Sequence, residues 1–213
     1  MGNSSKQGDK RMGTCNLTAV YLNGELKIAQ YGQFDGYPSG QGVTALSFLS
    51  SKNNVESLKE SLARVRFIEF EGRDKEFIQS YDRNSPEFMS SPDNRSPQQK
   101  HWHDTFIHRS RAAGILANVA DSNDGEILLK NSIDFAYEGL FCEWAYIIDL
   151  DSNTFEAFKG YNKTPVTEGR FLSSGIKEEN GYHPVVIKKS YSLDQLPSEK
   201  EFLAELEPEL ELK

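Results

Sequence analysis

The chemistry-bearing residues of this chain gather in two places, a glycine-rich stretch near the start and an apolar run in the last third. The stretch Tyr31 to Gly42 reads Y-G-Q-F-D-G-Y-P-S-G-Q-G and holds four glycines, two tyrosines, two glutamines and one carboxylate within twelve residues. Glycine lets backbone approach a ligand or a neighbour closely, and Pro38 fixes a turn. Asp35 and Gln33 are of the type that hydrogen-bonds a polar group, Gly36 and Gly40 give close approach, and Tyr31 and Tyr37 are suited to be walls. The same residues also make ordinary turns, with Asp35-Gly36 as turn chemistry and the tyrosines as packing. The stretch is not a phosphate loop, because it lacks the G-x-x-x-x-G-K-[ST] spacing. Cys15 lies shortly before it, at the head of a predicted strand, and is a candidate nucleophile or a small buried apolar residue. Glu143 alternates with Phe141, Ala145 and Ile147 in the apolar run. A carboxylate there must be paired or have its pKa raised, so it is either a general base, with Trp144 beside it in the pocket, or a partner for Arg64, Arg66 or Arg111.

A metal reading is weaker. On a helix His101, Asp104 and His108 would share one face, but no H-E-x-x-H or C-x-x-C accompanies them, and an amphipathic helix with Trp102, Phe106 and Ile115 inside explains them as well. No metal and no cofactor is therefore expected.

The elements that must position these groups follow from periodicity. Cys15–Leu22 and Glu25–Tyr31 read as strands joined by Asn23-Gly24, the strongest short hairpin signal. Val43, Leu46 and Leu49 have helical spacing, and Asn53 with Glu56 suggests a capped helix to about residue 64 that buries Val55, Leu58 and Leu62. Residues 65–82 are ambiguous between strand and helix. Residues 83–97 carry three prolines and predict a long exposed loop. A helix broken near 109–114 is expected over 98–121. Ile127–Leu129 is a short strand candidate, and Leu140–Leu150 is apolar on both faces, the pattern of a central strand covered on both sides. A turn at 151–153 leads to an antiparallel strand Thr154–Lys159. His183–Ser190 predicts another strand, and Ser198 opens a helix with Phe202, Leu203 and Leu206 inward. The sum is an α+β fold, mainly antiparallel sheet with packed helices.

Length and charge set the bounds. The 213 residues fit one domain over 13–206, between a disordered tail at 1–12 and an acidic tail at 207–213. A net charge of −8 argues against a nucleic-acid partner. No apolar run approaches membrane length, and the start comes near a lipidation signal but has Lys6 where Ser or Thr is wanted. Two cysteines far apart form no disulfide framework, which suggests a reducing, cytoplasmic compartment.

The segments G-T-x-x-L-T at 13–18, A-Q-Y-G-Q-F-D-G-Y-P-S-G-Q-G at 29–42 and F-C-E-W-A-Y-I-I-D-L-D at 141–151 resemble a family of uncharacterised proteins from bacteria, phages and fungi. That resemblance implies one domain starting near Gly13 and brings no activity; Cys15 stands where the family shows a basic residue. Cys15 at the head of a strand, followed by a hairpin and a loop with Gln33 and Asp35, is also similar to the layout of N-terminal nucleophile hydrolases. There the freed amine, with a pKa of about 8, activates the thiol, and the layout implies a sandwich fold and an amidohydrolase acting through Cys15 or Thr14. Three functions stay open: a pocket at 31–42 for a small polar ligand or peptide, the hydrolase, and an interaction module using 83–97.

Overall fold

A computed structural model describes residues 13–69, 71–74, 112–123, 125–173 and 181–208. The expected tail at 1–12, residues 209–213 of the tail expected at 207–213, the 83–97 loop, most of the 98–121 helix and the triad His101, Asp104 and His108 lie outside the described residues.

The order of elements begins with the predicted hairpin, β1 (Asn16–Leu22) and β2 (Glu25–Gly32). Asn23 and Gly24 both take positive φ, 58° and 71°, as a tight two-residue turn requires. The Asp151 carboxylate accepts both of their amide N–H groups at 2.8 Å, so this turn is locked to the one at 151–153. Pro38–Gly42 then forms a π-helical turn that runs into α1 (Val43–Leu49), so part of the expected loop is helical. In α2 (Lys52–Leu62) the cap is Ser51, whose hydroxyl accepts the Asn54 amide, rather than the expected Asn53. Two short parallel strands follow, β3 (Val65–Phe67) and β4 (Ile127–Leu129), separated in the chain by a 3-10 turn at Ala112–Gly114 and by α3 (Ile115–Ala120). After a 3-10 turn at Ile133–Tyr137 come β5 (Trp144–Asp149), β6 (Thr154–Lys159), β7 (Val186–Ser192) and α4 (Glu199–Leu206).

The main sheet runs β2-β1-β5-β6-β7. Every neighbour is antiparallel except β1 and β5, which pair in parallel from Asn16↔Trp144 to Tyr21↔Asp149. The expected strand Leu140–Leu150 thus begins only at Trp144, and the strand expected at His183 begins at Val186.

Alternation along these strands sorts side chains to two faces. One face carries Val20, Ile28, Tyr146, Ile148 and Phe155 against α1, α2, α3 and α4, chiefly Leu46, Leu58, Leu62, Leu116 and Phe202. The other carries Leu17, Ala19, Ala145, Ile147 and Phe158 against Ala136, Phe171 and Val185. Both faces of β5 are covered, which is why its sequence is apolar throughout. Each fully buried Val, Leu, Ile or Phe among them contributes about 1.5–3 kcal/mol relative to exposure. No helix among the described residues is long and apolar enough to cross a membrane.

Candidate functional site

The strand directions bring five chain segments to one end of the sheet: residues 13–15 entering β1, 33–37 leaving β2, 138–143 entering β5, 160–163 leaving β6 and 181–185 entering β7. Cys15, Tyr31, Gln33, Asp35 and Gly36 therefore lie at the same end of the sheet as Glu143 and Trp144, which follow more than a hundred residues later in the chain.

The backbone of the glycine-rich stretch is pinned from below. The Gly36 amide donates to the Thr14 carbonyl at 3.1 Å, and the Gly36 carbonyl accepts the buried Tyr146 hydroxyl at 2.8 Å. A Cβ on Gly36 would sit 2.6 Å from Thr14 O and 2.8 Å from Asn16 Cβ, so only glycine passes there. Asp35 holds φ at 54°, and its carbonyl accepts the Gln41 amide at 2.8 Å, folding the segment back on itself. A Cβ on Gly40 would run into that same carbonyl. The Gln41 side chain is buried and accepts the Ala113 amide at 3.0 Å. From the far end of the chain, Glu207 accepts the Ser39 amide at 2.8 Å, closing the first turn. Asn16 reaches three carbonyls, those of Thr14, Gly32 and Phe34, at 3.3–3.4 Å.

This scaffold borders an open depression of about 450 Å³ lined by Asp35, Tyr37, Ser39, Gly40, Gln41, Val43 and Thr44. Asp35 and Thr44 are exposed there, and Tyr37 is half-buried against the helix-side core.

The other expected site residues act elsewhere. The Cys15 thiol lies 3.3 Å from the Tyr31 hydroxyl, with the Gly13 and Gln33 carbonyls at 3.7 and 3.9 Å. Among the described residues no carboxylate or imidazole is within hydrogen-bonding distance of it. Tyr31 itself packs edge-on against Phe135 with ring centroids 4.9 Å apart, on the sheet face away from the helices. Trp144 is a core residue, stacked on Tyr146 at 6.4 Å, with the Lys159 ammonium 5.1 Å over its ring. Glu143 precedes β5 instead of lying in its middle. Its amide donates to the Cys15 carbonyl at 3.0 Å and its carbonyl accepts the Gly160 amide at 2.9 Å. Burial raises its carboxyl pKa, while the facing Tyr161 hydroxyl and the Lys159 charge pull it back down. Arg64 and Arg66, expected as its partners, are engaged at the small sheet: Arg64 with the Gly125 and Ser122 carbonyls, Arg66 with Asp74 and Glu126. Arg111 lies outside the described residues.

Four contributors were missed from sequence: Asn16, Tyr146, Tyr161 and Glu207. A polar residue in an otherwise apolar strand was the available signal for Asn16 and Tyr146. Nothing in sequence spacing marks Tyr161 or Glu207. Among the described residues no group of His, Cys, Asp and Glu side chains is arranged to hold a metal ion. Comparison with protein-family models, curated proteins and solved structures finds no match to the chain.

Proposed function

We propose that the protein binds a small polar ligand, or the polar part of a peptide-like one, in the depression between Asp35 and Thr44. One observation carries this reading. A glycine-rich segment closed to any side chain at Gly32, Gly36 and Gly40 is held rigid from Thr14, Tyr146 and Ala113, and it still leaves a concave polar surface open to solvent. A pre-formed concave site with a few fixed polar groups loses little freedom on binding. In this reading Asp35 accepts hydrogen bonds from the ligand, Tyr37 supplies the apolar wall, and Gly36 and Gly40 keep the backbone close.

The amidohydrolase reading through Cys15 or Thr14 has less support from the geometry. Thr14 is buried and its carbonyl anchors Gly36, so excising the chain up to Cys15 would remove a bond that shapes the site. The thiol also faces a phenol and carbonyls instead of a base.

The test is a thermal-shift screen of the full chain against free amino acids, nucleosides and monosaccharides. A hit is expected to lose its shift in Asp35→Asn and Tyr37→Ala and to keep it in Cys15→Ala. A hit that survives Asp35→Asn unchanged would place binding elsewhere, and turnover of an amide hit that stops in Cys15→Ala would favour the hydrolase.

A further inference from the structure

A second cavity, of about 500 Å³, opens on the sheet face away from the helices and lies within the usual range of about 300–1,000 Å³ for small-molecule sites. Its floor is apolar, made by the buried side chains of Phe158, Phe171 and Val185. At its rim Ile187 leaves 48% of its surface exposed. The wall opposite is polar and already built. The Val166 amide donates to the Ser173 hydroxyl at 2.8 Å and the Ser173 amide donates to the Val166 carbonyl at 2.9 Å, which closes the 166–173 loop on itself. From that loop the Arg170 guanidinium stacks 4.5 Å over the Tyr21 ring. Its Nε donates to Glu156 Oε2 at 3.1 Å and its Nη2 to Asp149 Oδ2 at 2.8 Å.

The charge count at this wall decides what fits. One guanidinium meets the Glu156 and Asp149 carboxylates, the Glu168 carboxylate also lines the cavity, and among the described residues no lysine does, so the wall is net negative. Glu156 spends one oxygen on Arg170, and its Oε1 has no hydrogen-bond partner among the described residues. An anion would be repelled here. A pure hydrocarbon would cover that oxygen without satisfying it, at a cost of about 1–3 kcal/mol. An ammonium group on an apolar body satisfies both the floor and the oxygen.

We propose that this cavity is a binding site for a small alkylammonium compound, with its hydrocarbon on Phe158, Phe171 and Val185 and its ammonium donating to Glu156. The inference is independent of the first site, which lies at the sheet end and on the helix side.

The test titrates the isotope-labelled full chain with n-hexylamine, 1-hexanol and hexanoate at pH 7, following amide resonances. Hexylamine is expected to bind about tenfold more tightly than either of the others, the size of one charge-assisted hydrogen bond, and to shift Phe158, Val185 and Ile187. Glu156→Gln is expected to erase that preference and keep hexanol binding. Because Glu156 also holds Arg170, Ile187→Arg is the second variant: it changes only the exposed rim and is expected to abolish hexylamine binding. A parallel titration with Nα-acetyl-lysine-N-methylamide separates sources. Weaker binding than hexylamine supports a free amine, and tighter binding overturns it in favour of a lysine side chain of a partner. Equal binding of the three hexyl probes, shifts confined to other residues, or hexylamine binding intact in Ile187→Arg would overturn the proposal.

Discussion

Glu143 sits where five segments converge, and opposed influences act on its carboxyl. Burial favours the protonated form, whereas Tyr161 and Lys159 favour the charged one, and burial prevails because the folded pKa is raised. For an acid with a raised folded pKa, the stabilising contribution is present in full below the unfolded value of about 4.3 and is lost as pH rises through the folded value. At neutral pH the ionised carboxylate therefore costs stability. Glu143→Gln keeps the shape and removes the titration. The melting temperature of the variant minus that of the wild type is expected to be more positive at pH 7 than at pH 4. A difference that does not change with pH would mean that folding leaves the Glu143 pKa where it is, and one that falls would assign Glu143 a net favourable charge interaction. The neighbouring Asn16 shows a different strain. It is fully buried and its amide nitrogen lies 3.3–3.4 Å from three carbonyls, yet among the described residues its Oδ1, like Thr18 Oγ1 on the same face, has no hydrogen-bond partner. Polar atoms left so in a core are costly and persist where they organise something, here the carbonyls that shape residues 32–36.

Among the elements, α4 is the one whose sequence states its own boundaries. Ser198 accepts the Glu201 amide at 3.3 Å and the Glu201 carboxylate accepts the Ser198 amide at 2.9 Å, a complete capping box. Glu201 has a lowered pKa because its carboxylate accepts the Ser198 hydroxyl, at 2.7 Å, and the Ser198 amide. Ser198→Ala removes the hydroxyl half and is expected to cost about 0.5–2 kcal/mol, read as a lower midpoint in urea with an unchanged slope. No change in midpoint would mean that packing of Phe202 alone holds the helix. The hairpin, α1, α4 and the β5–β6 pair were legible for the same kind of reason: Asn-Gly, helical spacing and continuous apolar runs are local signals. The cap of α2 slipped from Asn53 to Ser51 because either serine or asparagine can cap, and the one that precedes the first turn won. Glu143 was placed inside β5 because the apolar run begins at Leu140, while 3-10 and turn geometry holds the chain out of the sheet until Trp144. The partners of the glycine-rich segment were not legible at all. Thr14, Tyr146, Ala113 and Glu207 come from four distant positions, and local pattern carries no information about which strands become neighbours.

At the scale of the whole molecule, that last point has a kinetic consequence. The first strand of the chain is not at an edge: β1 lies between β2 and β5, and its pairing with β5 joins residues 128 positions apart, from Asn16 to Trp144. The hairpin β1–β2 closes locally and cheaply, yet its apolar Leu17 and Ala19 face stays uncovered until Ala136, Phe171 and Val185 pack against it. The site at the sheet end depends on the same event, because Glu143 and Tyr146 come with β5 and grip Cys15 and Gly36 only after it docks. Closing a loop of that length before the long-range contacts form is an entropic barrier, and topologies built on such pairs fold slowly. Refolding from urea is therefore expected on a time scale of about milliseconds to seconds, with protection of the Gly36 and Gln41 amides appearing together with that of β5 in pulse-labelled hydrogen exchange. Protection of Gly36 well before β5 would show that the glycine-rich segment folds with the hairpin alone. A chain ending before Glu143 lacks both partners, and on this account it should show neither that protection nor any thermal shift with a ligand of the first site.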